Sequence, residues 1–269
     1  MKSKLSGILL VSDLDGTLIN NNFSVPKRNI DAIERLKKEG GYFSIASGRS
    51  MKSGRGCVEI SKPNVPCILM NGTVLYDFEN EKIIWDNPLC NDSIKYIESI
   101  RKEFPNVGIE IYADREIYLI NAEYYVKRHM KNEKIECPKC SIKDVIGKKI
   151  YKVLFAMENK FMKDVIDFVN SINHAGVNFV ATSDNYYEMI SSSVNKGEGL
   201  LKLSEILNVD LSKTYAIGDY YNDIEMVKTA HIGVATYNAV EALKRVADIT
   251  VGSCDDGAVA DLVEYIEKI

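Results

Sequence analysis

The sequence predicts an α/β protein with a doubly wound parallel-sheet core and an inserted α+β module. Three observations support this prediction. Strand-like and helix-like segments alternate at both ends of the 269-residue chain, which favours a parallel sheet covered by helices. The middle of the chain contains β-rich runs separated by short turns, which is typical of hairpins. A hydrophobic share of 46% supplies enough apolar side chains for a substantial core.

The first part of the chain predicts a strand, a helix and two further strands. The strands are expected at residues 8–13, 42–46 and 67–70. The first helix should begin near Pro26, because Ser24 suits a helix cap and proline suits a first turn. Another helix is expected after Arg49, although residues 50–56, SMKSGRG, are rich in Gly and Ser.

The middle of the chain predicts strands joined by hairpins, with helices between them. The strands are expected in the runs VLYDF, KIIWD, VGIEIYA, EIYLIN and YKVLFAM and near residues 177–182 and 186–191. The helices are expected at about 91–103, 122–132 and 160–173. We therefore expect an inserted domain at residues 83–189.

After Lys196-Gly197 the alternation of helix and strand returns. Helices are expected at 198–207, 222–229, 238–246 and about 257–268, with strands at 214–218 and 232–236. The core domain is accordingly expected to combine residues 1–82 with residues 190–269.

Composition argues against several classes of protein. The formal net charge of −4 gives no electrostatic reason to expect nucleic-acid binding, which usually needs a basic face. No apolar run approaches the ~20 residues that span a bilayer, and the acidic pair near the N-terminus interrupts any signal-like segment. We expect a cytoplasmic protein with no nucleic-acid or membrane partner. Cys137 and Cys140 form a C-x-x-C without a second pair or a nearby His, so reduced loop thiols are favoured over a zinc site.

Polar clusters follow the predicted core strands where those strands end. The clusters are Asp13/Asp15, Ser47-Gly48-Arg49, Asn71-Gly72 and Gly218-Asp219, with Lys196 and Asn222-Asp223 in adjoining loops or helix starts. Ligands of open parallel sheets bind beyond the carboxyl ends of the strands. We therefore expect these residues to form one site.

The acidic residues of this site predict a divalent cation. Carboxylates held close together repel one another, which raises a pKa or demands a cation. Asp13, Asp15, Asp219 and Asp223 supply hard oxygen ligands. Mg²⁺ fits such a group, because it needs few protein ligands and keeps water and phosphate oxygens in its shell.

Four motifs resemble those of the haloacid dehalogenase-like (HAD) superfamily. DLDGTL at 13–18 resembles its first motif, D-x-D-G-T, and Ser47 its second. Lys196 resembles the third, and GDYYNDIEM at 218–226 resembles the fourth, G-D-x-x-N-D. The insertion and the C-terminal pattern are similar to the Cof-like phosphatases, which carry a type IIB cap. The resemblance implies a Rossmann-like core and covers nearly all of it, whereas the cap matches by length and pattern only.

The resemblance implies roles for the acidic pair. Asp13 would be the nucleophile that attacks phosphorus and becomes an aspartyl phosphate. Asp15 would be the general acid/base that protonates the leaving oxygen and then activates water. Residues two apart lie on the same side of an extended backbone, so we expect the two side chains to flank one phosphoryl group.

The resemblance also implies ligands for the metal and the phosphate. Mg²⁺ would be held by the Asp13 and Asp219 carboxylates and the Asp15 backbone carbonyl. Asp223 would not touch the metal directly but would bind it through a water molecule. The phosphate would contact the Ser47 hydroxyl, the backbone amides of Leu14 and Gly48, Lys196 and Asn222.

Two nearby residues keep alternative interpretations. Arg49 either reaches the substrate or forms a structural ion pair. Asn71 either orients the loop that carries Asp15, called the acid loop below, or caps a turn.

The predicted function is a Mg²⁺-dependent phosphatase of a small phosphorylated metabolite, with sugar phosphates as the first choice. The nearest alternative is a phosphomutase of the phosphomannomutase-like type, because it needs the same acidic pair. A non-catalytic phosphometabolite-binding protein is an alternative from a different class. We expect a monomer or a weak homo-oligomer.

Overall fold

The computed structural model describes residues 3–20 and 22–269, and the chain forms two compact units. The core unit comprises Met1–Arg49, Gly54–Asp86 and Val194–Ile269, and the inserted unit comprises Ser50–Ser53 and Asn87–Ser193. Within the described residues, no helix combines the length and the apolar character needed to cross a membrane.

The helices and strands follow one another in the predicted order, with one short strand, Ile249–Thr250, that was not predicted from the sequence. The strands are β1 (Leu9–Asp13), β2 (Tyr42–Ala46), β3 (Cys67–Leu69), β4 (Val74–Asp77), β5 (Lys82–Asp86), β6 (Gly108–Ala113), β7 (Glu116–Asn121), β8 (Ile150–Ala156), β9 (Val177–Ser183), β10 (Tyr186–Ser191), β11 (Thr214–Gly218), β12 (Ile232–Ala235) and β13 (Ile249–Thr250). The helices are α1 (Lys27–Lys38), α2 (Met51–Ser61), α3 (Ser93–Glu103), α4 (Tyr124–Glu133), α5 (Asn159–Ser171), α6 (Lys196–Leu207), α7 (Ile224–Thr229), α8 (Glu241–Lys244) and α9 (Ala258–Lys268).

The core sheet has the order β13-β12-β11-β1-β2-β3-β4-β5. Pairing is parallel from β13 to β3, while β4 and β5 are antiparallel. Strand β1 is buried along its whole length, which fits its continuous apolar run between two parallel neighbours. The chain leaves β1 towards β2 and β3 on one side and returns through β11 and β12 on the other. The carboxyl end of β1 is therefore the point where strand order reverses and a ligand crevice is expected.

The predicted α/β fold is confirmed, with two local corrections. Ser24 does not cap α1, because its hydroxyl donates a hydrogen bond to Asn20 Oδ1. The residue at the cap position is Pro26, and no side chain caps the helix by a hydrogen bond there. The helix predicted at 238–246 shortens to α8. Val240, inside the predicted span, has an extended backbone (φ −62°, ψ 145°) that starts the helix only at Glu241, and its N–H donates to Asp219 O at 2.9 Å. Helix α2 forms despite its glycines.

The inserted unit is an antiparallel five-stranded sheet of order β7-β6-β8-β10-β9. Its apolar face packs on α3 and α5 through a cluster that includes Ile97, Val153 and Val165. Because side chains alternate along strands, the other face carries different residues.

That second face of the inserted sheet bears a buried polar network. Lys152 Nζ donates to Glu188 Oε1 at 3.0 Å, and the hydroxyl of Tyr112 donates to Glu110 at 2.8 Å. His129 Nδ1 lies 3.0 Å from both Glu110 oxygens. Burial, then the Glu110 charge, raises the pKa of Tyr112 well above its ordinary value. Lys152 and Glu188 compensate each other's charge inside the unit, and Glu110 is held by hydrogen bonds in place of water.

Candidate active site

Three candidate site residues meet at the carboxyl end of β1. Asp13 ends that strand, Lys196 begins α6 and Asp223 lies just before α7. Lys196 Nζ donates to Asp13 Oδ1 at 2.5 Å and to Asp223 Oδ1 at 2.6 Å. Lys196 and Asp223 are 0% exposed and Asp13 is 6% exposed. Residues from three distant parts of the sequence thus form one buried ionic cluster.

Lys196 is fixed by the start of its helix. Asn195 caps α6, because its side chain accepts from the backbone N–H of Glu198 at 2.9 Å. Burial opposes the charge on Lys196, but the carboxylates of Asp13 and Asp223 outweigh burial and raise its pKa above the ordinary lysine value. The lysine therefore stays protonated between two carboxylates.

Asp219 brings a third carboxylate to the cluster. One oxygen from each of Asp13, Asp219 and Asp223 lies within 4.8 Å of the others. Burial raises the pKa of Asp13 well above its ordinary value, and the Asp223 charge adds to this despite Lys196. Burial also raises the pKa of Asp219. When all three carboxylates are ionised, the cluster holds more negative charge than the single ammonium of Lys196 compensates.

This donor set fits a hard divalent cation. Asp223 is already engaged, because its Oδ2 accepts from the backbone N–H groups of Asp219 and Tyr220, each at 3.0 Å, and its Oδ1 accepts from Lys196. Asp219 accepts from the Thr17 hydroxyl at 2.7 Å and has a second oxygen to offer. Carboxylate oxygens of Asp13 and Asp219 are the ligand type that Mg²⁺ prefers.

Asp15 follows the end of β1 and is not part of the buried ionic cluster. It sits in a tight turn, in which Gly16 N–H donates to Ile19 O at 2.9 Å. That the side chains of Asp13 and Asp15 flank one phosphoryl group stays a prediction. Gly16 has φ +93°, and an added Cβ would lie 2.6 Å from Asp219 Oδ2. The turn therefore needs glycine to bring this loop against Asp219.

The side chain of Asp15 forms a two-point ion pair with Arg49. Arg49 Nε and Nη2 each donate to a different Asp15 oxygen at 2.8 Å. The Asp15 side chain is 48% exposed and that of Arg49 is 17% exposed. Of the two interpretations left open for Arg49, the ion pair is present. The partner of Arg49 in this pair is Asp15, the residue expected to be the general acid and base.

The Ser47-Gly48 loop follows β2 at the same edge. Ser47 is 2% exposed, and its oxygen accepts from the backbone N–H of Arg49 at 3.2 Å. Because the hydroxyl oxygen is the acceptor in this bond, the hydroxyl hydrogen of Ser47 can be donated to another group. Asn71 N–H donates to Ser47 O at 3.0 Å, which ties this loop to the turn after β3.

The structure also brings together residues whose contacts the sequence did not indicate. Asn222 Nδ2 donates to Asn71 Oδ1 at 3.1 Å. Asn238 Nδ2 donates to Gly16 O at 2.8 Å, while its Oδ1 accepts from the Cys254 N–H. Asn238 therefore braces the acid loop from the segment after β12. Only its position after a predicted strand could have signalled this.

A groove of about 400 Å³ borders the site within the core unit. It is lined by Asp15, Gly16, Ile19, Asn20, Phe23, Asp219, Asn238, Ser253, Cys254 and Asp255. Cys254 is buried, and burial raises the pKa of its thiol to about 12. That thiol is therefore protonated at neutral pH, and the polar groups of the groove are mainly carboxylates and amides.

The comparisons with known proteins agree on one family. A family model described as haloacid dehalogenase-like hydrolase matches residues 10–263. A putative phosphatase of Buchnera aphidicola is 30% identical, over 88% of this chain and 89% of that protein. The 5-amino-6-(5-phospho-D-ribitylamino)uracil phosphatase YitU of Bacillus subtilis is 24% identical, over 96% of this chain and 97% of that protein.

A solved structure extends the likeness to the whole fold. A haloacid dehalogenase-like hydrolase from Bacteroides thetaiotaomicron superposes with a TM-score of 0.86 at 25% identity, covering 96% of this chain and 99% of that one. The resemblance inferred from the four sequence motifs is thus confirmed. The chain belongs to the haloacid dehalogenase-like hydrolase family.

Proposed function

We propose that this protein is a Mg²⁺-dependent phosphatase that hydrolyses a small phosphorylated metabolite through an aspartyl phosphate on Asp13. The observation that carries the proposal is the buried cluster in which Lys196 bridges Asp13 and Asp223 beside Asp219. The phosphatase names of the relatives support the same reaction class.

Asp13 is the proposed nucleophile. Its carboxylate ends a rigid buried strand, and Lys196 holds one of its oxygens. The other oxygen is left to attack phosphorus, forming an Asp–O–P bond as the ester oxygen departs. Lys196 also compensates the charge that builds on the transferring group.

Mg²⁺ is the proposed cofactor. The Asp13 and Asp219 carboxylates and the Asp15 backbone carbonyl would hold it, with Asp223 behind them. When bound, it would compensate the excess negative charge of the carboxylates and phosphate and so favour attack by an anion on an anion.

Asp15 is the proposed general acid and base. To protonate the leaving oxygen it has to carry a proton, whereas the two-point pair with Arg49 binds the carboxylate form. The first step therefore requires this pair to open. After the alcohol leaves, the ionised Asp15 accepts a proton from the water that cleaves the aspartyl phosphate.

The phosphate oxygens would be bound by groups at the ends of β1 and β2. These are the Ser47 hydroxyl and the Leu14 and Gly48 amides, with Lys196 and Asn222 added from later parts of the chain. Ser47 accepts from Arg49 N–H, so its own proton is available to a phosphate oxygen.

The proposed substrate is a phosphate ester on a sugar or a sugar-like carbon chain. The name of the Bacillus subtilis relative describes a phosphorylated ribityl chain, which is a small polyol ester of this type. Partners are proposed to be such metabolites. That the protein is a monomer or a weak homo-oligomer remains a prediction.

The test is release of inorganic phosphate from a panel of sugar phosphates and a phosphorylated ribityl compound. It is run with Mg²⁺ and with chelator, for the wild type, Asp13→Asn and Asp31→Asn. Asp31 is an exposed aspartate that pairs with Lys27 on α1, so it controls for loss of a surface carboxylate.

We expect metal-dependent release that Asp13→Asn abolishes and Asp31→Asn preserves, with circular dichroism unchanged in both. Hydrolysis that survives Asp13→Asn would contradict the assigned nucleophile. Isomerisation of a hexose phosphate without phosphate release would replace the proposal by a phosphomutase.

A further inference from the structure

The turn after β3 has an unusual backbone. Met70, Asn71 and Gly72 follow one another with φ values of 50°, 57° and 102°. A left-handed conformation is uncommon for non-glycine residues and costs about 1 kcal/mol or more for most side chains, although Asn and Asp adopt it more readily than Met. Two such residues in succession persist only where the surroundings hold them in place, which is typical of functional sites.

The surroundings of this turn are the loops of the proposed phosphate site. Met70 N–H donates to Arg49 O at 3.1 Å and Asn71 N–H donates to Ser47 O at 3.0 Å. An added Cβ on Gly72 would lie 2.0 Å from Asn195 O, so the turn touches the segment that begins α6. One strained turn thus connects the loop after β2 with the residue preceding Lys196.

The Asn71 side chain extends this connection to the segment before α7. Its Oδ1 accepts from Asn222 Nδ2 at 3.1 Å. A Cβ placed on Gly48 would lie 3.2 Å from Asn71 Oδ1 and 3.4 Å from Asn71 Nδ2. The carboxamide therefore lies over the Gly48 backbone and against Asn222, both of which are proposed to bind phosphate.

The hydrogen-bonding capacity of Asn71 is incompletely used. Its oxygen is committed to Asn222, and its Nδ2 carries two N–H groups. Within residues 3–20 and 22–269, no hydrogen bond donated by this Nδ2 is present. A donor held by a strained backbone at the phosphate loop, with its oxygen already paired, is suited to an anion and not to a cation.

We infer that Asn71 is a further phosphate-binding residue. Its Nδ2 donates to an oxygen of the phosphoryl group, while its Oδ1 holds the Asn222 carboxamide in the orientation that serves the same group. This inference rests on the proposed phosphatase function, because it takes the phosphate to lie at the Ser47-Gly48 loop.

Two substitutions separate the donor from the acceptor. Asn71→Asp keeps an oxygen for Asn222 and suits the left-handed backbone, but it removes both N–H groups and adds a negative charge. Asn71→Gly removes the whole side chain without backbone strain. The matched controls are Asn208→Asp and Asn208→Gly, because Asn208 is an exposed left-handed asparagine, φ 52°, at the end of α6.

The measurements are the binding constant for inorganic phosphate by calorimetry with Mg²⁺ present, and kcat and KM for the best ester. A hydrogen bond to a charged group corresponds to roughly 10- to 100-fold in binding. We expect Asn71→Gly to weaken phosphate binding and raise KM by about that factor. Asn71→Asp should be weaker still, because its carboxylate repels phosphate. Both Asn208 variants should match the wild type.

Phosphate binding by Asn71→Asp at the wild-type level would overturn the inference, because Asn71 would then serve only as the acceptor for Asn222. Wild-type behaviour of both Asn71 variants would overturn it as well. The wild type hydrolyses esters in either case, so these outcomes leave the proposed function standing. A wild type that releases no phosphate from any ester is a failure of the proposed function itself.

Discussion

Replacement of Lys196 by methionine is expected to destabilise the core unit strongly. The lysine is 0% exposed and donates to Asp13 at 2.5 Å and to Asp223 at 2.6 Å. Lys196→Met keeps much of the volume but removes the cation between two buried carboxylates. No solvent reaches the position, so neither carboxylate regains hydration on the side the lysine occupied.

The size of the effect follows from the burial of the ions. Removing one partner of a buried ion pair costs about 3–5 kcal/mol, because the remaining charge is left uncompensated. At roughly 2–4 °C per kcal/mol for a protein of this size, Tm should fall by roughly 6–20 °C. The double variant with Asp223→Asn should recover about 1–3 kcal/mol, as expected for two residues in direct contact.

Trp85 provides a reporter for this measurement. It is the single tryptophan of the sequence, lies on β5 in the core unit and packs against the core cluster. Its fluorescence on heating therefore follows the core unit. Lys202→Met, which removes a partly exposed lysine of the same helix that pairs with Glu205, is the control and should move Tm by little.

Two results would refute this reasoning. A Lys196→Met protein whose Tm matches that of Lys202→Met would show that the lysine does not compensate buried charge. A double variant that loses the sum of the two single losses would show that Lys196 and Asp223 are not coupled.

Three further predictions follow from burial and backbone geometry. Burial raises the pKa of Asp13, so the contribution of this residue to the stability of the metal-free protein is fully present below the ordinary value near 3.8 and is lost as pH rises through the raised pKa. Mg²⁺ should therefore raise Tm more as pH rises, and a larger gain at acid pH would contradict the metal site. Lys152→Met should cost about 3–5 kcal/mol in urea unfolding, because Glu188 stays buried, and an unchanged midpoint would contradict that account. Gly72→Ala, at φ +102° against backbone, should lower Tm, whereas Gly56→Ala in open space on α2 should raise it. Equal shifts would remove the steric argument.

The sequence predicted the core strands well, because their patterns depend on local properties. The run that leads into β1 is apolar up to Val11 and the strand is buried at every residue, which is typical of a strand between parallel neighbours. The predicted strand at 214–218 matches β11 residue for residue. Residues at the ends of such strands share an edge of the sheet by topology alone, which is why Asp13 and Asp219 could be expected to meet.

The remaining features depend on contacts between distant residues. The pair of Arg49 with Asp15 and the contact of Asn222 with Asn71 join segments that are 34 and 151 residues apart. No local pattern encodes such side-chain directions. The short α8 has the same origin, because Val240 is held in an extended conformation with its N–H bonded to Asp219 O of another loop. Tertiary hydrogen bonds there outweigh a helical pattern.

Trapping the phosphorylated protein during turnover tests Asp13 as the phosphoryl acceptor. Wild-type protein, Asp13→Asn and Asp31→Asn are mixed with the best substrate and Mg²⁺, quenched in acid and analysed as intact and digested protein by mass spectrometry. We expect one phosphoryl group on Asp13 in the wild type and in Asp31→Asn, and none in Asp13→Asn. A phosphoryl group on another residue, or fast turnover with no phosphorylated protein at any time point, would contradict this assignment.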